Sequence, residues 1–309
     1  MTDGNTHTEK VRGNHSPAGD VGAAPRPRGS QTNGEASAGA RGQAGEAVYL
    51  YCFARLALLR HINGKGVDDQ NPLFLRRYRD IVAVASMVSG EKFSGPSAEA
   101  RMQDLSWVGP RACWHERVVE EVMCHSPVLP VRFGTIFSSV EILEKVLKRH
   151  HNAICHFLHW VADKEEWAVK GLLTRARAKE AVVSTARAAY AEQLASSSPG
   201  KRYFQERRIR ENAEKELACR LEETCRAVAA DLNRRASDFR RRNVLPHNTE
   251  GTEMVANWAF LVPRNAVSEF RAQVEKANSA PAQQGLHFEL SGPWPPYSFC
   301  PCLEGESEK

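Results

Sequence analysis

The sequence predicts an α+β protein with two domains, and three features of the chain lead to this prediction. Short apolar runs rich in aromatic residues are typical of buried strands, and helical segments with one apolar side lie between them. The second half also contains one very long helical pattern. A chain of 309 residues has about the length of two domains. We predict a disordered tail at 1–46, domains at 47–162 and 163–299, and a flexible tail at 300–309.

The N-terminal tail is too polar to fold alone. It contains no aromatic residue, and Val11 and Val21 are its only sizeable branched aliphatic residues. Such a segment buries too little apolar surface to offset the entropy lost on ordering. It also lacks the apolar core of a signal peptide, and no apolar run approaches the ~20 residues of a transmembrane helix. We therefore expect a cytoplasmic protein that does not enter a membrane.

The eight cysteines are expected to be reduced thiols in that compartment. Six of them lie in apolar segments, where cysteine usually behaves as a small buried hydrophobic residue. The six predicted to be buried are Cys52, Cys113, Cys124, Cys155, Cys219 and Cys225.

The first domain is predicted to combine strands with two helices. The run 48–53 is almost entirely apolar and aromatic, which favours a central strand buried on both faces. The strands predicted to follow are 73–75, 81–88 and 128–137. One helix is predicted to start at Pro110 and to reach Cys124, and Ser138 or Ser139 caps a second helix that extends to about Val161.

The second domain is dominated by a long helix predicted at 201–242. Apolar residues spaced by three and four form a narrow stripe along it, which is typical of a helical hairpin or a coiled coil. The segment 196–200 separates it from a shorter helix at 174–194. The remaining predicted elements are strands at 167–173, 255–262 and 286–290 and a helix at 265–278.

His115 and Glu116 are the residues most suggestive of acid–base chemistry. Neighbours on a helix do not face each other, so the two are not expected to form a dyad. We interpret His115 as a core histidine, because it shares a face with Val119. We predict an ion pair between Glu116 and Arg132, because Arg132 lies in an otherwise apolar strand, where a buried charge needs a partner. A catalytic role for His115 and Glu116 is the alternative.

A row of possible metal ligands follows on the second helix. His151, Cys155 and His159 are spaced by four residues, and such nitrogen and sulfur ligands could bind Zn²⁺ or copper. The row spans about 12 Å, so one ion could take only two of the three, and another ligand would have to come from elsewhere. Cys300 and Cys302 are a second candidate pair for a local thiol or metal site, although a loose tail is the simpler interpretation.

Nucleotide and nucleic-acid binding are disfavoured. Gly200–Lys201 lacks the pattern of a phosphate-binding loop, since Ala195 replaces the first glycine and Arg202 replaces the hydroxyl residue. The net charge is only +5, and acidic residues alternate with the arginines of the long helix.

Six segments follow one another along the chain: YLYCF (49–53), HERVVEEV (115–122), PVLPVRFGTIF (127–137), EWAVKGLL (166–173), SPGKRYF (198–204) and ELSGPWPPYSF (289–299). In this order they resemble the gas vesicle protein F/L family (GvpF/GvpL). The resemblance covers residues 48–299, and SGPWPPYSF is its most specific segment.

This resemblance implies a ferredoxin-like first domain and a second α+β domain with a helical hairpin. It implies a minor gas vesicle or assembly protein that contacts the shell protein GvpA and other accessory gas vesicle proteins, with no enzymatic activity. From the residues themselves we expect no cofactor, metal, small-molecule substrate or nucleic acid. We expect partner binding where the domains meet, near 128–137 and 291–299. The matched motif positions are His115, Glu116, Pro130, Arg132, Phe133, Gly134, Gly200, Tyr203, Gly292, Pro293, Trp294, Pro295 and Tyr297.

Overall fold

The first sheet is built around a central strand, β1 (Glu46–Arg55). In the computed structural model, which describes residues 45–93, 100–244, 251–279 and 284–303, the order of this sheet is β2-β3-β1-β4, and β5 also pairs with β1. The other strands are β2 (Leu73–Tyr78), β3 (Ile81–Ser89), β4 (Val128–Pro130) and β5 (Ile136–Phe137), and the pairings are antiparallel. Strand β1 is buried on both faces, as its apolar and aromatic sequence predicts. The predicted tail at 1–46 lies almost entirely outside the described residues.

The single strand predicted at 128–137 is wrong, because a loop divides it into β4 and β5. Pro130 has no N–H to donate to a continuing ladder, and Gly134 has a φ of +85°, a conformation that glycine adopts readily. Arg132 therefore lies in the loop, exposed to solvent, and not in a buried strand.

Helices cover both faces of the first sheet. After the short α1 (Gly90–Phe93), helix α2 (Leu105–His125) packs on one face, and α3 (Val140–Trp160) packs on the other. Helix α2 begins earlier than predicted, because Asp104 accepts a hydrogen bond from the Ser106 N–H at 2.9 Å and caps it. Pro110 lies inside this helix.

The second sheet has four antiparallel strands in the order β7-β8-β6-β9. These strands are β6 (Lys164–Thr174), β7 (Asp238–Arg241), β8 (Thr252–Pro263) and β9 (Leu286–Trp294). Strand β9 extends four residues beyond the predicted end at Leu290, so the segment SGPW is part of the sheet. The α+β class with two sheets is thereby confirmed.

Helices from the second half pack on one face of the second sheet, around Phe260, Phe270 and Phe288. They are α4 (Arg175–Ala189), the short α5 (Ala191–Ala195), α6 (Pro199–Asn233) and α7 (Val267–Ser279). Helices α4 and α6 contact each other, and a coiled-coil geometry for this pair stays a prediction. The exposed side of α6 carries Arg–Glu pairs such as Arg207–Glu211 at 2.7 Å, as expected for a solvated surface.

The long helix ends nine residues before the predicted Arg242. Residues 238–241 form β7, where Phe239 stacks on Phe260 of β8 at a centroid distance of 4.8 Å. An apolar residue at position 239 fits either a helical stripe or an edge strand, and pairing with β8 decides between them.

The two halves of the chain share a core. Ala259 and Leu261 on the other face of β8 belong to the same buried cluster as Leu147 and Leu158 of α3. Phe299 and Leu303, near the C-terminus, complete this cluster. The predicted domain boundary at 162 stays a prediction.

One position on the outer edge of β9 is covered by a side chain. The Asn278 amide donates to the Phe288 carbonyl at 2.8 Å, and its oxygen accepts from the Phe288 N–H at 2.7 Å. The N–H and C=O of a strand residue point to the same side, so Asn278 imitates a neighbouring strand at this position.

The cysteines are distributed differently from the prediction. All eight are free thiols, and of the six predicted to be buried only Cys52 is buried. Cys155 and Cys225 are half-buried, whereas Cys113, Cys124 and Cys219 lie on exposed faces of their helices. Among the described residues, no helix is both long and apolar enough to span a bilayer.

Candidate functional site

The segment SGPWPPYSF crosses the junction between the two halves of the chain. After β9 ends at Trp294, a 3-10 turn at Tyr297–Phe299 brings two consecutive side chains against two carboxylates. The Tyr297 hydroxyl donates to Glu116 Oε2 of α2 at 3.0 Å. The next residue, Ser298, donates to Glu166 of β6 through its N–H at 3.0 Å and its hydroxyl at 2.9 Å. Tyr297 thus contacts the first half of the chain, and Ser298, the next residue, contacts the second half.

Glu166 is a buried carboxylate, with only 1% of its surface exposed. The Arg242 guanidinium donates to its Oε1 atom and also, through Nε, to the Ser298 hydroxyl at 2.8 Å. Burial raises the pKa of Glu166 above its usual range, and the charge of Arg242 and the bonds from Ser298 oppose that rise. We call Glu116, Glu166, Arg242, Tyr297 and Ser298 the junction cluster.

The predicted ion pair between Glu116 and Arg132 is wrong. Arg132 is carried away by the loop between β4 and β5, and Tyr297 is the partner of Glu116 instead. Burial raises the pKa of the half-buried Glu116 carboxyl, while the bond from Tyr297 lowers it. Burial also raises the pKa of Tyr297, so its hydroxyl remains a donor at neutral pH.

His115 is a core histidine, as predicted, and both of its ring nitrogens are engaged. Its Nδ1 lies 3.0 Å from the Tyr49 hydroxyl, which in turn accepts from the Gly134 N–H at 3.0 Å. Its Nε2 lies 3.2 Å from the Val131 carbonyl oxygen. Nδ1 is therefore the acceptor and Nε2 the donor of a neutral imidazole. Burial lowers the pKa of His115 to about 4.

This network fixes the loop that replaces the predicted strand. Phe133 packs edge-on against His115 at a centroid distance of 5.9 Å, and the Tyr51 ring stacks on His115 at 5.4 Å. Pro130 is buried, and its carbonyl lies 3.4 Å from the Cys300 thiol. His115, Pro130, Phe133 and Gly134 thus contribute to structure next to the junction cluster.

Gly292 is the motif glycine with the strictest requirement. Its φ is +141°, and a Cβ there would lie 2.9 Å from the Glu166 carbonyl oxygen and 3.1 Å from the Trp167 ring. We expect Gly292→Ala to lower the free energy of unfolding by about 2–3 kcal/mol, since both the conformation and the contact are unfavourable for alanine. Urea denaturation measures this change.

Gly200 provides the matched control, because it is also a motif glycine. A Cβ on Gly200 would meet nothing within 4 Å, and the residue lies in the first turn of α6. We expect Gly200→Ala to be neutral or to stabilise by up to about 1 kcal/mol. Similar losses for the two substitutions would contradict the role given to Gly292.

A groove of about 280 Å³ lies beside the junction cluster. Trp294, which is 39% exposed, lies at this groove, and its indole N–H donates to the Ser291 hydroxyl at 3.2 Å. Neither Arg132 nor the buried Pro295 lines it. We call it the junction groove; its main lining residues are Met123, Pro127, Val128, Val161, Lys164, Glu165, Arg264, Pro293, Trp294 and Pro296.

Tyr203, like Gly200, lies outside the junction. It is exposed near the start of α6 beside Phe204, at a ring-centroid distance of 5.8 Å. The family-motif positions therefore fall in two places, the junction and the start of α6.

The three possible metal ligands His151, Cys155 and His159 do not share the same contacts in the structure. His159 Nδ1 lies 3.2 Å from the Arg55 guanidinium. His151 and Cys155 instead meet Asp80, from the turn between β2 and β3.

Sequence reasoning missed Glu166, Arg242 and Ser298. One signal was available for Glu166, because it is an acidic residue at the start of an apolar strand, and a buried carboxylate needs a partner. Nothing in the sequence pairs it with Arg242, which lies 76 positions further along the chain.

Comparison with known proteins identifies the family. Residues 47–301 match the model of the gas vesicle synthesis protein GvpL/GvpF family. Gas vesicle protein L of Streptomyces sp. is 27% identical over 242 residues, covering 77% of this chain and 86% of that protein. Gas vesicle protein L1 of Halobacterium salinarum is 22% identical over 266 residues, covering 82% of this chain and 90% of that protein.

The fold also matches a solved structure. The crystal structure of the gas vesicle protein GvpF from Anabaena sp. aligns with a TM-score of 0.61 at 19% identity, over 83% of this chain and 99% of that one. The matched residues 47–301 include both sheets, the junction cluster and the junction groove. The chain therefore belongs to the GvpL/GvpF family of gas vesicle synthesis proteins.

Proposed function

We propose that this protein is a non-enzymatic assembly factor in the cytoplasm that binds the gas vesicle shell protein GvpA together with other accessory gas vesicle proteins. Its family membership supports a role in gas vesicle formation. A shell subunit that assembles through apolar surfaces needs a partner that covers such a surface before assembly, and an apolar groove recognises such a surface.

The junction groove is the proposed binding site, and the exposed Trp294 is the observation that carries this choice. A large exposed aromatic side chain beside an apolar groove is typical of a residue that contributes strongly to binding. The lining of the groove combines the charged residues Lys164, Glu165 and Arg264 with apolar residues that include Val128, Val161 and the prolines. This combination suits an amphipathic segment of a partner.

The neighbouring junction cluster supports this proposal. It holds the segment that carries Trp294 against β6 through the buried Glu166, and it holds α2 through Glu116. A groove whose sides are fixed before binding loses little conformational entropy when a partner enters.

A catalytic function is less well supported. Both nitrogens of His115 bond to groups of the chain itself, and only 2% of the residue surface is exposed. Glu116 bonds to Tyr297, and its pKa is raised mainly by burial. These bonds hold His115 and Glu116 to other groups of the chain, so the two do not form a dyad that faces a substrate site.

Co-expression of GvpA with the affinity-tagged chain, followed by pull-down, tests the proposal. We expect wild type to retain GvpA and Trp294→Ala to weaken the binding by about tenfold or more, because truncating an aromatic residue that dominates an interface commonly costs about 2 kcal/mol or more of binding energy. Tyr203→Ala is the matched control, since Tyr203 is a family-motif aromatic that is 64% exposed but lies at α6. It should retain GvpA as wild type does.

Two outcomes would overturn parts of this proposal. If folded wild type retains no GvpA, the function as a shell-protein binder is wrong. If Trp294→Ala retains GvpA fully while Tyr203→Ala loses it, the binding surface is at the start of α6. Circular dichroism of each variant establishes that its fold is intact.

A further inference from the structure

Three residues from two elements converge where the β2–β3 turn meets helix α3. His151 and Cys155, one turn apart on α3, lie on the same side of the helix. Cys155 Sγ is 3.4 Å from His151 Nε2 and 3.5 Å from Asp80 Oδ2. His151 Nε2 is 2.6 Å from Asp80 Oδ1. One imidazole, one thiol and one carboxylate thus have their ligand atoms within 4.8 Å of one another.

These separations are close to those of ligands around a tetrahedral ion. Zinc binds nitrogen and oxygen at about 2.0–2.2 Å and sulfur at about 2.3 Å, so neighbouring ligand atoms lie roughly 3.3–3.7 Å apart. The two distances from Cys155 Sγ fall in that range. The shorter distance between His151 and Asp80 is that of a hydrogen bond, and its opening by less than about 1 Å gives the same spacing.

The surroundings orient these side chains. The other ring nitrogen of His151, Nδ1, lies 3.2 Å from the Asn152 side-chain oxygen, an interaction that leaves Nε2 for the ion. Tyr78 packs edge-on against the His151 ring at 5.6 Å. The backbone at Asp80 is fixed because its carbonyl accepts the Leu56 N–H at 2.9 Å. Such support from a second layer of contacts is usual around ligating histidines.

We propose that Asp80, His151 and Cys155 form a binding site for a divalent transition-metal ion, of which Zn²⁺ fits best. A nitrogen, a sulfur and an oxygen ligand match the preferences of zinc, and hard ions such as Mg²⁺ and Ca²⁺ would not use the thiol. The Asp80 side chain is 70% exposed, so the fourth position faces solvent and is available to water.

The consequence of ion binding is a link between the edge of the first sheet and the helix that covers it. Asp80 belongs to the β2–β3 turn, and the other two ligands belong to α3. None of the three lines the junction groove, so this site is independent of the proposed binding of GvpA.

Zinc content of the untagged full-length chain tests the site. After incubation with Zn²⁺ and dialysis, elemental analysis should give about one ion per chain for wild type. Asp80→Asn and Cys155→Ala should lower the affinity at least about tenfold, because each removes a charged ligand. Co²⁺ provides a second readout, since a thiolate ligand adds a charge-transfer absorption that Cys155→Ala should abolish.

Matched controls separate this site from other histidines and thiols. His159→Ala and Cys225→Ala should bind zinc as wild type does, because His159 contacts Arg55 and Cys225 lies on α6. Zn²⁺ should raise the melting temperature of wild type but not that of Asp80→Asn. This variant should fold as wild type does, because the Asp80 side chain is 70% exposed. Absence of zinc uptake by wild type, or equal uptake by wild type and Asp80→Asn, overturns the proposal.

Discussion

Arg242→Ala is expected to lower the free energy of unfolding by about 3 kcal/mol at pH 7. The substitution leaves the carboxylate of Glu166 buried, with Ser298 as its remaining hydrogen-bond partner among the contacts described above. Removing one partner of a buried pair commonly costs about 3–5 kcal/mol, and the lower end applies here because the Arg242 side chain is 32% exposed. Equilibrium unfolding in urea measures the loss.

The pH dependence of this variant has a defined sign. The pKa of Glu166 is already raised in the folded protein, and loss of the Arg242 charge raises it further. A carboxyl group with a raised folded pKa stabilises the fold below its unfolded pKa and loses that contribution as the pH rises through the folded value. The deficit of Arg242→Ala relative to wild type should therefore shrink as the pH falls and Glu166 is protonated.

Two controls test whether the loss of stability in Arg242→Ala comes from leaving the buried charge of Glu166 without its partner. Arg220→Ala removes an exposed pair with Glu216 on α6 and should cost about 0.5 kcal/mol or less. Glu166→Gln combined with Arg242→Met removes both charges and should recover part of the loss. If Arg242→Ala costs no more than Arg220→Ala at pH 7, the junction cluster contributes little to stability.

The second large effect is an acid sensitivity caused by His115. In the unfolded chain its imidazole takes up a proton near pH 6.5, whereas in the folded protein burial lowers its pKa to about 4. Between these values the unfolded chain binds more protons, so the free energy of unfolding falls as the pH drops through this window. The loss reaches about 3 kcal/mol at most.

A comparison with His115→Gln isolates this contribution. Glu116 and Glu166 have raised pKa values, so their contributions change with the opposite sign in acid. They remain in the variant, and the difference between wild type and His115→Gln reports His115. We expect the variant to be less stable at pH 7 but to lose less stability between pH 6.5 and 4. An imidazole NMR signal of His115 that titrates near pH 6.5 in the folded protein would disprove the explanation.

Much of the fold follows from patterns that the sequence displays locally. The run 48–53 is apolar and aromatic enough to be buried on both faces, and β1 is buried in this way. The stripe on the long helix correctly predicts α6 but not its end, because Phe239 fits a helix or a strand equally well. Pairing between distant segments decides such cases, and no local pattern encodes it.

In the junction cluster, too, the sequence does not reveal which distant side chains become partners. SGPWPPYSF has the composition of a rigid segment with large packing surfaces; Phe299 is buried as this suggests, whereas Trp294 stays 39% exposed. The partner of Glu116, however, is Tyr297, which lies 181 positions away. The choice of Arg132 rested on a strand that Pro130 and Gly134 interrupt.

Two of the three proposed metal ligands could be predicted from the sequence. Spacing alone places His151 and Cys155 on one side of a helix, and the distance along that helix excludes a single ion bound by the whole row. Asp80 is unremarkable in the sequence, and it becomes a candidate only because the β2–β3 turn packs against α3.

Asn278 has a consequence for how the protein behaves at high concentration. An unpaired strand at the border of a sheet is a template onto which further strands, including those of identical chains, can add without limit. At Phe288 that template is already filled by a side chain from the neighbouring helix. The chain therefore blocks, with its own side chain, one of the sites at which copies of itself could join edge to edge.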